Sequence, residues 1–471
     1  MLIGEDHSVR LVSCSTRVLA VLLAGAAAVA SASPAAARTP SGEPLPMPAR
    51  VTAGDPLAPG RVHRVEGTSP LAASAASAAA VTAPPARTAT TGRVVVSCQQ
   101  EAPPTCYGPD QLRAAYGVQP LLDAGVTGRG RKIVIVAAYS PPDIQLNLQT
   151  YDAAFGLPDP KLTVVAPYGS TWDPADPLQQ GWSDEVSADV QLAHVVAPEA
   201  DVILVQAKSS QKEDVLAVTR WAVNRNLGDV ISMSFISNET CQGRAFLAAQ
   251  HAVFAAAVAR GTTLVAGSGD YGPAQVTCDG TTFTRAVGSP AVDPLVLAVG
   301  GTTLDADPVS GAYRSETAWN EPFGATGGGY STVFPAPAYQ RGRVRAPMRA
   351  VPDVAWDAAL DGGALVYLGG WGIFYGTSAG TPQWAGVVAL ADQATRRRLG
   401  VINDDAYRLA ARRTKTPAFH DITTGTNTVN VLNTDGSIGT IDGYPAVPGW
   451  DASTGLGSPF VDRLVTALRL S

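Results

Sequence analysis

The chain has 471 residues, of which 46% are hydrophobic and 16% charged, so it can bury at least one large core and is not intrinsically disordered as a whole. Its formal net charge is −6, and no lysine- or arginine-rich block occurs in it. These features argue against nucleic acid or another polyanion as a partner.

The N-terminal segment has the pattern of a secretory signal. Two arginines precede the apolar run VLAVLLAGAAAVA (Val18–Ala30), and small residues that fit a cleavage site follow it. We therefore predict a signal peptide over residues 1–37 and a secreted protein, with an uncleaved anchor as the alternative. No later segment has the ~20 apolar residues of a spanning helix, so no membrane association is expected after cleavage.

The next segment, residues 38–95, is dominated by Ala, Pro, Ser, Thr and Gly. So few large apolar side chains cannot offset the entropy of ordering the segment, which predicts a linker or a vestigial pro-segment. The composition changes near Cys98, and we assign one folded domain, expected to be monomeric, to residues 96–471.

The chain has five cysteines, one of which, Cys14, lies in the predicted signal peptide. The remaining four suit two disulfides in an oxidising compartment. Their separations favour Cys98 with Cys106 and Cys241 with Cys278, among three possible pairings. No CxxC sequence and no nearby pair of histidines supports metal binding by these cysteines.

Apolar runs alternate with helical patterns through the rest of the chain. A short helix is predicted within Tyr107–Val118 and a longer one within Arg244–Gly261. The strand-like runs are KIVIVAAY (132–139), VILVQA (202–207), VISMSF (230–235), TLVAGSG (263–269) and PLVLAVG (294–300). This alternation predicts an α/β fold of three layers, with a mainly parallel central sheet and helices on both faces. Chemistry in such folds gathers at the carboxyl ends of the strands.

An acidic helix is predicted within GWSDEVSADVQLAHVVAPEADVILV (Gly181–Val205), with Ser183 as its cap. Glu185 and Asp189 are four residues apart beside an apolar stripe. Carboxylates at this spacing have Cβ atoms about 5–6 Å apart, close enough to share a proton. The alternative, acids that complement the helix dipole, fits Asp184 better than it fits Asp189.

A second acidic motif, GSGDYG (Gly267–Gly272), follows the strand TLVAGSG and contains Asp270. Its position at the end of a predicted strand is where catalytic groups gather. Taken alone, the motif also fits a glycine-rich turn with an Asx hydrogen bond.

The stretch YGTSAGTPQWAGVVAL (Tyr375–Leu390) predicts a serine, Ser378, at the start of an apolar helix, with Pro382 early in that helix. Backbone N–H groups and the positive helix end can stabilise an oxyanion at such a position. The alternative is an ordinary N-cap serine. The histidines that follow the predicted linker, at positions 194, 251 and 420, have the contexts of packing or surface residues.

Together these motifs resemble the sedolisin family of secreted serine-carboxyl peptidases, whose GTSxxxP signature is shared with subtilisins. The family motif ExxxD followed by an AP turn is matched by Glu185, Asp189 and Ala197-Pro198, and the SGD motif places its acid at Asp270. The HGT histidine and the strand-tip aspartate of subtilisins are not found in the sequence.

The resemblance covers roughly Cys98 to the C-terminus and implies a subtilisin-like fold. It implies that Ser378 is the nucleophile and Glu185 its general base. Asp189 would orient Glu185, and Asp270 would stabilise the oxyanion.

Two C-terminal segments, HDITTGTN (His420–Asn427) and GWDASTGLGSP (Gly449–Pro459), resemble those that build a calcium site in the family. The resemblance implies one structural Ca²⁺ with hard oxygen ligands. The implied ligands are the side chains of Asp421 and Asp451 and the carbonyl groups of Ile422, Val447 and Gly449.

The function that the resemblance implies is endopeptidase activity on proteins or peptides at acidic pH. Family precursors usually carry a long folded pro-domain, whereas a low-complexity segment precedes the domain here. One alternative is a non-catalytic secreted protein that keeps the peptidase fold as a binding module. Another is an esterase of the α/β-hydrolase type.

Overall fold

A central sheet of mainly parallel strands organises the chain. The computed structural model describes residues 61–64, 98, 106–322, 324–412, 414–433 and 435–470. All of them belong to one compact unit, residues 46–471. The predicted signal peptide and most of the predicted linker lie outside the described residues.

The helices of the described residues begin with a short one inside the predicted range 107–118 and include a twenty-residue helix that carries the acidic motif. They are α1 (Pro109–Ala115), α2 (Gln119–Asp123), α3 (Ile144–Phe155), α4 (Pro177–Val196), α5 (Lys212–Asn224), α6 (Glu239–Gln242), α7 (Arg244–Val258), α8 (Thr377–Thr395), α9 (Asn403–Ala410) and α10 (Val461–Arg469).

The strands agree with the five predicted runs and add many short ones. They are β1 (Arg61–Arg64), β2 (Cys106–Tyr107), β3 (Lys132–Ala138), β4 (Leu162–Val165), β5 (Asp201–Ala207), β6 (Val230–Met233), β7 (Ser237–Asn238), β8 (Thr263–Gly267), β9 (Ala274–Val276), β10 (Phe283–Arg285), β11 (Gly288–Ser289), β12 (Val296–Ala306), β13 (Tyr313–Ala318), β14 (Asn320–Glu321), β15 (Gly324–Ala325), β16 (Gly329–Pro335), β17 (Met348–Val351), β18 (Val354–Asp357), β19 (Gly363–Tyr367), β20 (Trp371–Tyr375), β21 (Phe419–His420), β22 (Val429–Leu432), β23 (Ile438–Ile441) and β24 (Ser458–Pro459).

The central sheet has the order β13-β12-β8-β6-β3-β5-β4 in the described part of the chain, and β18 also pairs with β12. Neighbouring strands are parallel except at the antiparallel β12–β13 edge. Strand β3 is buried at every position after Lys132. Its uninterrupted apolar sequence therefore reflects cover on both faces, and the α/β prediction is confirmed.

The helices that cover the sheet form two groups. Helix α4 packs with α8, and α8 contacts the central strands β6 and β8. Helices α5 and α7 pack with each other, and α5 contacts β3 and β5. Among the described residues, no helix combines the length and the apolar character needed to cross a bilayer.

Helices α4 and α8 touch at a glycine. A Cβ atom added at Gly386 would lie 2.6 Å from the Cβ of Val196 and 3.2 Å from the carbonyl oxygen of Ala193. No side chain fits in this gap, so the glycine allows the two backbones to approach closely. This contact sets the distance between the helix that carries the acidic motif and the helix that carries Ser378.

A second, smaller sheet has the order β1-β20-β19-β2. Strand β20 ends at Tyr375, three residues before Ser378, and β1 pairs with it antiparallel, Arg61 opposite Tyr375. Residues 61–64 thus form a strand inside the segment whose composition predicted a linker.

The two disulfides favoured by the cysteine separations are present. Cys98 is bonded to Cys106, and Cys241 to Cys278. The first joins Cys98 to β2 in the smaller sheet, and the second links α6 to the loop after β9.

Substitution of Gly386 tests the helix contact. Alanine should raise helix propensity by up to about 1 kcal/mol, but overpacking against Val196 should cost about 1–3 kcal/mol. We therefore expect Gly386→Ala to lower the free energy of unfolding, measured by urea titration. Gly439→Ala is the control, because its nearest neighbours would be 3.6 and 3.8 Å away. A more stable Gly386→Ala protein would contradict the close contact.

Candidate functional site

The acidic helix begins earlier than the sequence predicted. Helix α4 starts at Pro177, and the Asp176 side chain caps it by accepting the N–H of Leu178 at 3.0 Å. The prediction that Ser183 is the cap is therefore wrong, because an Asp-Pro pair is a stronger start signal and lies upstream. Glu185 and Asp189 consequently lie in the helix interior, which removes the dipole explanation for both acids.

The two acids of α4 are buried, with 0% of Glu185 and 1% of Asp189 exposed. The hydroxyl group of Ser234, the residue after β6, donates to Asp189 Oδ1 at 2.7 Å. About two turns upstream of Asp189, the Trp182 ring lies 6.4 Å from the ring of Phe235. Glu185 lies between these two contacts, so the face of α4 that carries both acids is turned toward the carboxyl end of β6.

Burial determines the protonation of Asp189. It raises the pKa of this carboxyl group to about 8, although the hydrogen bond from Ser234 acts in the opposite direction. Burial therefore favours the protonated form of Asp189. A protonated carboxyl group can donate a hydrogen bond to an ionised neighbour one helical turn away.

Asp270 lies three residues after β8 and holds the start of α8. Its Oδ1 atom accepts the backbone N–H of Thr377 at 2.8 Å and the Thr377 hydroxyl at 3.0 Å. Thr377 Oγ1 in turn accepts the N–H of Gly269 at 3.1 Å. Residue 376 must be glycine, because it has φ of 97° and an added Cβ would lie 2.5 Å from Asp270 Oδ2.

Ser378 is the second residue of α8, and 7% of it is exposed. Gly376, not the serine, occupies the N-cap position, so the N-cap alternative is wrong. Pro382, predicted to lie early in the helix, is the sixth residue of α8 and lies inside it. Because proline lacks an N–H, it leaves the carbonyl group of Ser378 without its usual helical donor.

These groups meet at one edge of the central sheet. Strands β6 and β8 are parallel neighbours, so the carboxyl ends that precede Ser234 and Asp270 are side by side. Ser234 binds Asp189 of α4, and Asp270 binds the residue before Ser378. The structure thus attaches both acidic motifs and the serine helix to adjacent strand ends, where chemistry in parallel sheets gathers.

The three histidines of the domain are each engaged elsewhere. His194 lies inside α4, and its ring is buried 3.4 Å from Asp152. His251 on α7 pairs with Asp293 at 2.9 Å. His420 is stacked between the rings of two aromatic residues, Tyr313 and Phe460.

The two predicted calcium segments lie together. The backbone N–H of Gly449 donates to both carboxylate oxygens of Asp421, each at 3.0 Å. Asp451 is buried and accepts backbone N–H groups from its own loop, including that of Val447 at 3.2 Å. Within the described residues neither aspartate has an ion pair, and no cluster of three or more His, Cys, Asp or Glu side chains occurs.

Two site residues escaped the sequence analysis, namely Ser234 and Thr377. Ser234 directly follows a predicted strand, so the rule on carboxyl ends could have drawn attention to it. Thr377 lies within the GTS motif, but only the fold shows that both of its donors reach Asp270.

Known proteins with similar sequences and folds are subtilisin-like peptidases. A sequence profile of the subtilase family matches residues 183–421. Kumamolisin from Bacillus sp. (strain MN-32) is 34% identical over 383 residues, which are 78% of this chain and 65% of kumamolisin. Sedolisin from Pseudomonas sp. (strain 101) is 32% identical over 339 residues, 69% of this chain and 55% of sedolisin. The chain thus spans less than two thirds of the length of these curated relatives.

The solved structures include Pseudomonas sedolisin, a serine-carboxyl proteinase, complexed with two molecules of pseudo-iodotyrostatin. It matches with a TM-score of 0.67 and 28% sequence identity, over 78% of this chain and 99% of that chain. The similarity therefore includes nearly the whole of the solved chain.

Replacement of Asp189 by asparagine tests its protonation. A carboxyl group whose pKa is raised in the folded state stabilises the fold fully below its unfolded pKa, and that stability is lost as pH rises through the folded pKa. The free energy of unfolding should therefore fall between about pH 4 and pH 8 in the unmodified protein. Asp189→Asn should reduce this fall by more than about 1.4 kcal/mol, the value of one pKa unit. An unchanged fall in urea titrations would contradict a protonated Asp189.

Proposed function

The chain belongs to the sedolisin family of subtilisin-like peptidases, and we propose that it is a serine-carboxyl endopeptidase that hydrolyses peptide bonds at acidic pH. The hydrogen bonds between Asp270 and Thr377 carry this proposal. They bring a carboxyl group beside a serine at a helix N-terminus. Such a carboxyl group can donate to an oxyanion only while it is protonated, which favours acidic solution.

The proposed reaction begins with attack of Ser378 Oγ on the carbonyl carbon of the substrate. Glu185 takes the hydroxyl proton as general base and returns it to the leaving amine. The tetrahedral oxyanion accepts a hydrogen bond from protonated Asp270. Water then hydrolyses the acyl-enzyme ester, again with Glu185 as base.

Asp189 has an electrostatic role in this proposal. Burial favours the protonated form of its carboxyl group, which donates to Glu185 and so favours the ionised form of that residue. Ser234 fixes Asp189 through the bond to Oδ1. The substrate class is protein or peptide, as the description of Pseudomonas sedolisin as a serine-carboxyl proteinase suggests.

We also propose that the protein is secreted. The signal-like N-terminal sequence and the two disulfides both suit an oxidising compartment.

A calcium ion is proposed at the C-terminal segments. Asp451 is buried, and burial raises the pKa of its carboxyl group. A cation would stabilise its ionised form, and carboxylate and carbonyl oxygens are the ligand type that Ca²⁺ prefers. Asp421 and Asp451 would supply side-chain oxygens, and Ile422, Val447 and Gly449 carbonyl oxygens. The ion would tie the two segments together and is not required for the chemical step.

The acidic mechanism predicts the pH dependence of activity. Hydrolysis of a denatured protein should be greatest in acid and should fall as pH rises, because Asp270 must be protonated to donate to the oxyanion and the Glu185–Asp189 pair must keep its shared proton. Ser378→Ala should reduce kcat by at least about a thousandfold. Equal activity in that variant, or a maximum only in alkali, would refute the mechanism.

The Asp270→Asn variant tests the oxyanion role of Asp270 separately from the role of the Glu185–Asp189 pair. An asparagine can accept from Thr377 and donate to an oxyanion at any pH. Its activity should therefore persist to higher pH than that of the unmodified enzyme, even if the maximum is lower.

Calcium should stabilise the protein in proportion to its binding. At about 100 times Kd the ion contributes about 2.7 kcal/mol, so Tm should rise by roughly 5 °C relative to a chelator-treated sample. Asp451→Asn should abolish the rise, whereas Asp435→Asn, in an exposed turn, should keep it. Equal Tm values with and without calcium would contradict the site.

A further inference from the structure

A buried glutamine on α4 binds the smaller sheet through two hydrogen bonds. Gln191 Nε2 donates to the carbonyl oxygen of Tyr367 at 2.7 Å, and Gln191 Oε1 accepts the N–H of the same residue at 2.9 Å. None of Gln191 is exposed. The amide therefore pairs with the last residue of β19 as a neighbouring strand would.

A second amide strengthens this attachment. Asn147 of α3 accepts the N–H of Gly369, in the turn after β19, at 3.0 Å. It also donates to the hydroxyl group of Ser187 on α4 at 3.2 Å. The end of β19 is thus bound to α4 directly through Gln191, and the turn that follows is bound to α4 through Asn147 of α3.

The positions of these residues on α4 separate two faces of the helix. Ser187 follows Glu185 by two residues, and Gln191 follows Asp189 by two. At 3.6 residues per turn, each step of two is a rotation of about 200°. The acids therefore face the carboxyl end of β6, while Ser187 and Gln191 hold the opposite face of the helix against the hairpin.

The hairpin continues directly into the serine helix. Strand β20 ends at Tyr375, and Gly376 and Thr377 lead to Ser378. Any slip of α4 along or around its axis would break the two bonds to Tyr367, which is fixed relative to β20 by pairing opposite Trp371. The amide bonds thus constrain the same two elements whose relative position decides whether Glu185 reaches Ser378.

We propose that Gln191 is a positioning residue, supported by Asn147, that fixes the register of the acid-bearing helix relative to the hairpin that presents Ser378. This inference rests on the proposed function, because the register matters to catalysis only if Glu185 serves Ser378. Gln191 itself touches neither substrate nor reacting atoms.

The chemistry of the amide provides a sharp test. Glutamine offers one donor and one acceptor at every pH, whereas a glutamic acid at this position does so only while protonated. In acid, Gln191→Glu should keep both bonds. Once the new carboxyl group ionises, it should lose the donated bond, and the Tyr367 carbonyl oxygen should repel it. Its activity should therefore depend on pH in a way that a loss of packing would not.

The experiment compares kcat and KM for hydrolysis of a peptide substrate by the full chain across pH. We expect kcat of Gln191→Glu to be within about twofold of the unmodified enzyme at the acid maximum. At the pH where the unmodified enzyme keeps half of its activity, we expect a further loss of about tenfold or more, with KM little changed, because small misplacements of catalytic groups are costly.

Gln340→Glu is a matched control. Gln340 is also fully buried, and its amide makes the same pair of bonds with the backbone of Ala350, donating at 2.7 Å and accepting at 3.0 Å. It lies outside the elements of the site, so its activity profile should follow that of the unmodified enzyme. A second variant, Gln191→Met, removes both bonds without adding charge and should lower kcat at every pH.

Two results would overturn the proposal: profiles of Gln191→Glu and the unmodified enzyme that superimpose, or an equal shift in Gln340→Glu. A readout independent of activity is hydrogen exchange of residues 363–376, which should accelerate in Gln191→Glu near neutral pH but not in acid. If the unmodified chain hydrolyses nothing, the proposed function fails. Hydrogen exchange would then still show whether the β19–β20 hairpin depends on Gln191. Unchanged exchange in Gln191→Glu would refute that dependence.

Discussion

The hydrogen bonds from Thr377 to Asp270 are the constraint on which the arrangement of the site depends. Two donors of one residue bind a single carboxylate oxygen, at 2.8 and 3.0 Å, and so fix the first turn of α8 to the end of β8. The approach is possible only because Gly376 has no side chain and adopts a positive φ. Once this end of α8 is fixed, the contact at Gly386 determines where α4 lies beside it.

Several carboxyl groups of this protein are buried, and burial favours their protonated forms. Burial raises the pKa of Asp152, Asp189 and Asp392 to about 8 each. Each group favours the folded state fully below its unfolded pKa, and this contribution is lost as pH rises through the folded pKa. For these three carboxyl groups, acidic solution therefore favours the folded state.

The sequence predicted the parts of the site better than their connections. The strand runs and the disulfide pairing were confirmed, because continuous apolar runs and cysteine separations depend on local sequence. The predicted start of α4 was wrong because Asp176-Pro177 lies upstream of the acidic motif Gly181–Val205. The partners Ser234 and Thr377 and the amide of Gln191 could not be predicted, because their contacts join residues 45, 107 and 176 positions apart.

The most direct test of the account is a crystal structure of the protein at acidic pH with a peptide aldehyde bound. The account predicts a covalent bond from Ser378 Oγ to the aldehyde carbon, with the resulting oxygen within hydrogen-bonding distance of the Asp270 carboxyl group. It also predicts a Glu185 oxygen within hydrogen-bonding distance of Ser378 Oγ. An aldehyde bonded elsewhere, or a Glu185 carboxyl group that another residue separates from Ser378, would contradict it.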